Sequence, residues 1–201
     1  MFTLFALHTL LLSLFSVKWK LRGHKYYRSV VCAIISLRGL LYLTRNNEDA
    51  DDLTCDIMCS YFIFDIVYVL LFKRKRVDLI IHHVVWYYGM TTLSMYRGSI
   101  MDRSWFSKCR NVSYLHETVS ILNGVLNKHK TKLYVWKIAC IALFNIPTTI
   151  GIMLPTIFTR GEYNTLPFVH SCMMKCIFVF ALGYDVYMLK KIRQAMHRIK
   201  R

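Results

Sequence analysis

Residues 53–72 read LTCDIMCSYFIFDIVYVLLF, a long run in which apolar side chains dominate. About 20 predominantly apolar residues are what an α-helix needs to cross the hydrocarbon core of a membrane. The run is bounded by RNNEDADD at 45–52 and by KRKR at 73–76. The stretch therefore predicts a membrane-spanning helix with a polar loop on one side and a basic loop on the other.

Further apolar runs lie on both sides of this stretch, at residues 2–17, 29–44, 79–96, 112–126, 133–158 and 166–189. The chain is 55% hydrophobic, above the roughly 45–50% of a soluble domain. The predicted fold is all-α: a polytopic membrane protein with about seven transmembrane helices.

The charge is strongly positive, with 27 Lys and Arg against 11 Asp and Glu and a formal net charge of +16. A nucleic-acid-binding protein is also basic, but it does not devote most of its sequence to long apolar runs. We therefore expect basic loops lying against anionic lipid headgroups, and no nucleic-acid partner.

The basic residues recur in every second connection. Residues 18–28, 73–76, 128–132 and 190–201 are rich in Lys and Arg, whereas 45–52 and 159–165 are not; loop 97–110 is the exception. By the positive-inside rule, this alternation predicts a lumenal N-terminus and a cytoplasmic C-terminus. The predicted organisation is an N-terminal anchor with its basic loop at 1–28, a membrane domain at 29–190 and a basic tail at 191–201.

Several ionisable residues fall inside the predicted spans. A charged group at the centre of a membrane helix costs about 2.5–3.5 kcal/mol, so each one is a candidate for function. Asp65 is either a site residue or a buried structural partner of Arg38 or of a tyrosine. The full set is Arg38, Asp56, Asp65, His82, His83, His116, Glu117, His170, Lys175 and Asp185.

The pair His82–His83 follows the basic sequence KRKRVD. Adjacent residues on a helix diverge by about 100°, so the two rings cannot point equally well at one centre. A neutral histidine in a wet basic cavity can act as a base or a nucleophile. The alternative is one interfacial histidine and one packing histidine. With eight histidines but a single close pair, the sequence does not predict a metal site.

Residues 111–127 read NVSYLHETVSILNGVLN. Steps of three and four residues join a polar stripe on this helix, formed by Ser113, Glu117, Ser120, Asn123, Gly124 and Asn127. The stripe indicates either a binding site or a helix–helix contact, because Ser, Asn and Gly are common packing residues in membranes. The sequon at Asn111 gives only a weak prediction of glycosylation.

Three segments, SYFIFDIVY, LIIHHVVWYYGM and YLHETVSILNGVLN, resemble the TLC family (TRAM, Lag and CLN8 homology). The resemblance covers about residues 30–201. It implies that six helices form a barrel around a lipid-accessible cavity in the endoplasmic reticulum membrane. The match is closer to the small TLC-domain proteins than to full ceramide synthases.

Ceramide synthases in this family carry an HH pair and an HDxxD element. His82 and His83 match the pair; Glu117 stands for the first aspartate and Ser120 for the second, so this chain departs from the element by one carboxylate. The resemblance implies His82, His83 and Glu117 as catalytic candidates. Together with the intramembrane positions, it gives a candidate lipid-binding set of Asp65, His116, Ser120, Asn123 and Arg38.

Three functions follow. The first is a lipid-binding TLC-domain protein that influences membrane lipid composition or sphingolipid metabolism. The second is an N-acyltransferase that uses acyl-CoA as co-substrate and a sphingoid base as acceptor, with no bound cofactor. The third, on topology alone, is a seven-helix receptor or small transporter. The partners are membrane lipids, and oligomerisation is compatible with each.

Overall fold

A computed structural model describes residues 7, 8, 10, 11, 23–45, 52–72, 76–95, 109–159 and 167–199. Almost all of these residues are helical. The predicted first span at 2–17 and the loops at 46–51, 96–108 and 160–166 lie largely or wholly outside the described residues.

Six helices follow one another in the described chain. They are α1 (Gly23–Arg45), α2 (Asp52–Phe72), α3 (Val77–Met95), α4 (109–128), α5 (130–159) and α6 (Phe168–Ile199). Four stretches of them are long and apolar enough to cross a membrane: Gly23–Thr44, Leu53–Phe72, Lys130–Met153 and Phe168–Ile199. The fold is therefore all-α and suited to a membrane, while the count of seven spans stays a prediction.

Consecutive helices run in opposite directions. His24 at the start of α1 contacts Asp65 near the end of α2. The Lys191 ammonium near the end of α6 donates to Asp78 at the start of α3, at 3.1 Å. One end of the bundle, called here the basic end, thus collects the starts of α1, α3 and α5 and the ends of α2, α4 and α6. Lys25, Arg76 and Lys130 lie there.

Helix α1 begins at Gly23, earlier than the apolar run at 29–44 suggested. The predicted boundary after residue 28 is therefore not a helix boundary. His24 and Arg28 belong to the first turns of α1, where each pairs with the buried carboxylate of Asp65. Apolar content alone could not predict this extension, because it depends on a partner from another helix.

Helices α1 and α4 approach each other closely at two glycines. A Cβ on Gly39 would lie 2.9 Å from the backbone oxygen of Asn111, and one on Gly124 would lie 2.9 Å from Tyr26 Cδ1. Small residues permit such approach between membrane helices. Asn111 is fully buried in this contact, which argues against its glycosylation.

Helices α4 and α5 are irregular. The segment Tyr114–Asn123 of α4 is a 3₁₀ helix. In α5 two π-helical turns, Ile141–Asn145 and Thr149–Met153, flank Pro147. Proline lacks a backbone N–H and crowds the preceding turn, so a wider turn on each side relieves the helix.

Much of the interior and most of the outer surface of α1 and α2 are apolar, as expected of a bundle in lipid. Large buried apolar side chains come from several helices, including Tyr27, Ile35, Met58, Phe62, Met90 and Phe178. Most of the exposed side chains on α1 and α2 are also apolar, and they include Val30, Ile34, Leu37, Val67, Leu70 and Leu71. A contiguous apolar outer face marks a surface that contacts lipid or another protein.

Candidate functional site

A cavity of about 290 Å³ lies among α1, α3, α4, α5 and α6. On α5 its lining extends from Lys130 at the basic end to Asn145, a distance of about 20 Å at the usual helical rise. Seven residues that the sequence indicated line this one cavity: His82, His116, Glu117, Ser120, Asn123, Asn127 and Asp185.

The histidine pair divides between two environments. His83 is fully buried and points its Nδ1 at Asp65 Oδ2, 3.2 Å away. His82 lines the cavity instead, with its ring stacked on that of Tyr184 at a centroid distance of 4.4 Å. Among the described residues, none forms a hydrogen bond with the buried Nδ1 of His82. The expectation that the two rings diverge is confirmed.

Asp65 lies behind the cavity wall and is fully buried. Its Oδ1 lies 2.6 Å from Nε2 of His24, and its Oδ2 lies 3.9 Å from Nη1 of Arg28. Both of these partners line the cavity. Asp65 therefore orients cavity residues and does not itself line this cavity, and its assignment to the lipid-binding set stays a prediction.

Arg38 is not a lining residue of this cavity. It follows Arg28 by ten residues, or about 15 Å along the helix axis. The described ion pairs of Asp65 are with His24, Arg28 and His83, whereas the sequence suggested Arg38 or a tyrosine as its partner. Because α1 begins earlier than its apolar run, His24 and Arg28 lie level with Asp65.

The polar stripe of α4 divides between the cavity and a helix–helix contact. In a 3₁₀ helix residues three apart eclipse one another, so Glu117, Ser120 and Asn123 form one row along the cavity. Glu117 Oε2 accepts a hydrogen bond from the Cys32 thiol at 3.2 Å. Gly124 faces α1, where its backbone N–H donates to Ser29 Oγ at 2.9 Å.

A second polar cluster closes the end of the cavity away from the basic end. The Asn145 amide donates to Asp185 Oδ1 at 3.0 Å, and His116 Nδ1 lies 3.9 Å from Asp185 Oδ2. The Nε2 of His116 is 3.3 Å from the hydroxyl of Thr149. Each of these side chains is buried, so the cluster fixes the His116 ring.

Positive charge predominates in the lining. Five Lys and Arg side chains line the cavity, against the two carboxylates of Glu117 and Asp185. The five are Lys25, Arg28, Arg76, Lys130 and Lys137. Such a cavity concentrates anions, because low-dielectric walls focus the field of the charges that line them.

Several lining residues were not predicted from the sequence, among them His24, Lys137 and Asn145. His24 was assigned to a loop, and nothing local to it predicts that Asp65 holds its ring. Lys137 could have been predicted as a site residue, since it is a charged residue inside the predicted span 133–158. Asp185 was recognised as an intramembrane carboxylate, but its partner Asn145 was not.

The residues that the structure describes contain no group of three or more His, Cys, Asp and Glu side chains that could hold a metal ion.

The fold and the cavity together define a class of protein: an all-helical protein suited to a membrane, with a basic polar cavity inside the bundle. Comparison with family models, curated proteins and solved structures found no match for the chain.

Proposed function

We propose that this chain is an integral membrane protein of the TLC type, which binds a lipid in its cavity and influences membrane lipid composition or sphingolipid metabolism. The observation that carries the proposal is the cavity lined by His82, Glu117 and Ser120. Polar and ionisable groups inside a membrane bundle are costly and mark functional sites by default. The segments that resemble the TLC family contribute these three residues.

We infer residence in the endoplasmic reticulum membrane with the basic end toward the cytoplasm. The alternation of basic loops supports this orientation through the positive-inside rule. A lipid headgroup would then enter the cavity from the cytoplasmic side, past Lys130 and Arg76, and its acyl chains would lie against the apolar outer surface.

The lipid can be identified by mass spectrometry of the full chain purified in maltoside micelles. Ser120 is buried on the cavity wall, so Ser120→Leu fills space there and should remove the bound lipid. Val125 is 63% exposed on the same helix, and Val125→Leu serves as the matched control, expected to retain it. A co-purifying lipid profile equal to that of the source membrane, in both variants, contradicts the proposal.

A second function, N-acylation of an amine, is favoured by the buried His82 Nδ1, which has no hydrogen-bond partner among the described residues. A sphingoid amine would attack the carbonyl carbon of the acyl-CoA thioester, so that a C–N bond forms and the C–S bond breaks. His82 would accept the amine proton and return it to the departing thiolate. Glu117 would orient the amine or stabilise the protonated His82.

Labelled acyl-CoA and a sphingoid base test this second function. If the protein is an acyltransferase, His82→Ala abolishes amide formation, while His170→Ala leaves it unchanged. His170 is the matched control because it stacks on Tyr88 and does not line the cavity. Absence of turnover in the wild-type protein, with a stably bound lipid, rejects the enzyme and retains the first function.

A further inference from the structure

We propose that the ligand of this cavity carries a phosphate group, and that Lys137 and Arg28, assisted by Lys25 and Lys130, form its binding site. This inference rests on the proposed function, because it specifies the chemistry of the bound lipid. On the cavity wall, Lys and Arg side chains outnumber the carboxylates.

Lys137 is the lining cation that points most clearly to an anionic ligand. It lies within the candidate span Lys130–Met153, seven residues beyond Lys130, or about 10 Å further into the bundle. Its side chain lines the cavity, and no described residue forms a hydrogen bond or ion pair with its ammonium group. A cation at such a position is expected to pair with a carboxylate, a backbone carbonyl or a ligand.

Arg28 is only partly neutralised. Its Nη1 lies 3.9 Å from Asp65, at the outer limit of an ion pair, and Asp65 is shared with His24 and His83. The buried Nε of Arg28 has no hydrogen-bond partner among the described residues. A planar guanidinium whose Nε–H makes no described hydrogen bond is suited to bind phosphate oxygens.

Lys25 and Lys130 meet at the basic end of the same cavity. Both ammonium groups donate to Asn127 Oδ1, at 2.8 Å and 3.0 Å. Two positive charges thus lie within about 6 Å of each other and share a neutral acceptor, where they repel one another. An anion beside them would relieve this repulsion.

A phosphate fits this set better than a carboxylate. A phosphate monoester carries a charge of about −1.5 to −2 and three strong acceptor oxygens, whereas a carboxylate brings one charge and two oxygens. Glu117 also lines the cavity, but it forms no ion pair with Lys137 among the described residues, and its Oε2 accepts from Cys32. The phosphate can belong to a lipid headgroup or to a soluble carrier such as coenzyme A.

The test titrates the full chain, in phosphate-free maltoside micelles, with dihexanoyl phosphatidic acid and with the uncharged dihexanoylglycerol. Tryptophan fluorescence reports binding, because Trp86 lines the cavity. We expect the phosphate lipid to bind at least about tenfold more tightly, with a preference that falls as salt rises. Free coenzyme A as competitor distinguishes the sources: displacement assigns the site to a carrier phosphate, and no displacement assigns it to a headgroup.

Lys137→Gln should weaken binding of the phosphate lipid about tenfold. Lys132→Gln is the matched control, since Lys132 lies on the same helix, is exposed and does not line the cavity. Equal effects of the two substitutions, or equal affinity for the two lipids, overturns the phosphate site but leaves lipid binding intact. If neither lipid nor coenzyme A binds, both the phosphate site and lipid binding by the cavity are rejected.

Discussion

Asp65 illustrates what can and cannot be predicted from a single residue. A carboxylate in the middle of SYFIFDIVY indicates a buried partner or a site, and the structure gives it three partners from two other helices. The sequence identified Asp65 and His83 but not His24. Pairing between helices depends on how far each one extends, and the extension of α1 was not evident from apolar content.

Asp65→Asn should lower the free energy of unfolding by roughly 3–5 kcal/mol, the usual cost of breaking a buried ion pair. The reason is that Arg28 loses its described carboxylate partner while remaining mostly buried. Thermal unfolding in maltoside measures the effect. Asp56→Asn is the control, because Asp56 lies on the same helix and is exposed. If the two variants unfold at the same temperature, the charge network around Asp65 does not stabilise the fold.

At the scale of helices, the apolar runs predicted the positions of α1 to α6 but not their internal geometry. The periodicity of α4 suggested one polar stripe at steps of three and four residues. Its 3₁₀ geometry instead aligns Glu117, Ser120 and Asn123 on the cavity, while Gly124 packs on α1. Such a change of pitch depends on tertiary packing, so a helical pattern in the sequence cannot reveal it.

The close contact between α1 and α4 gives a prediction at this scale. Gly39→Ala places a methyl group 2.9 Å from a backbone oxygen, and the overpacking should destabilise the bundle by about 1–3 kcal/mol. Gly183→Ala is the matched change, because nothing lies within 4 Å of the added Cβ. There we expect stabilisation of about 0.5–1 kcal/mol, from higher helix propensity. Equal unfolding temperatures for the two variants would refute the close α1–α4 contact.

At the scale of the whole molecule, the alternating direction of the helices brings the basic residues to one end of the bundle. The six described helices bring residue 23, the α2–α3 and α4–α5 connections and residue 199 to the basic end. The cavity proposed to bind phosphate is lined at that end by Lys25 and Lys130. A cytoplasmic basic end would therefore give the cavity access to soluble phosphate carriers as well as to headgroups of the cytoplasmic leaflet.

Epitope tags test this orientation. One tag is inserted after Arg45 and the other is placed after Arg201, because α1 ends at Arg45 and α6 ends, at Ile199, at the opposite, basic end of the bundle. In cells whose plasma membrane alone is permeabilised, antibody should reach the tag after Arg201 and not the inserted one, which becomes accessible when internal membranes are dissolved. The positive-inside rule predicts that the basic end, and with it the tag after Arg201, faces the cytoplasm. Simultaneous labelling of both tags would mean that the described bundle does not cross the membrane, and reversed labelling would place the phosphate site on the lumenal side, out of reach of cytoplasmic carriers.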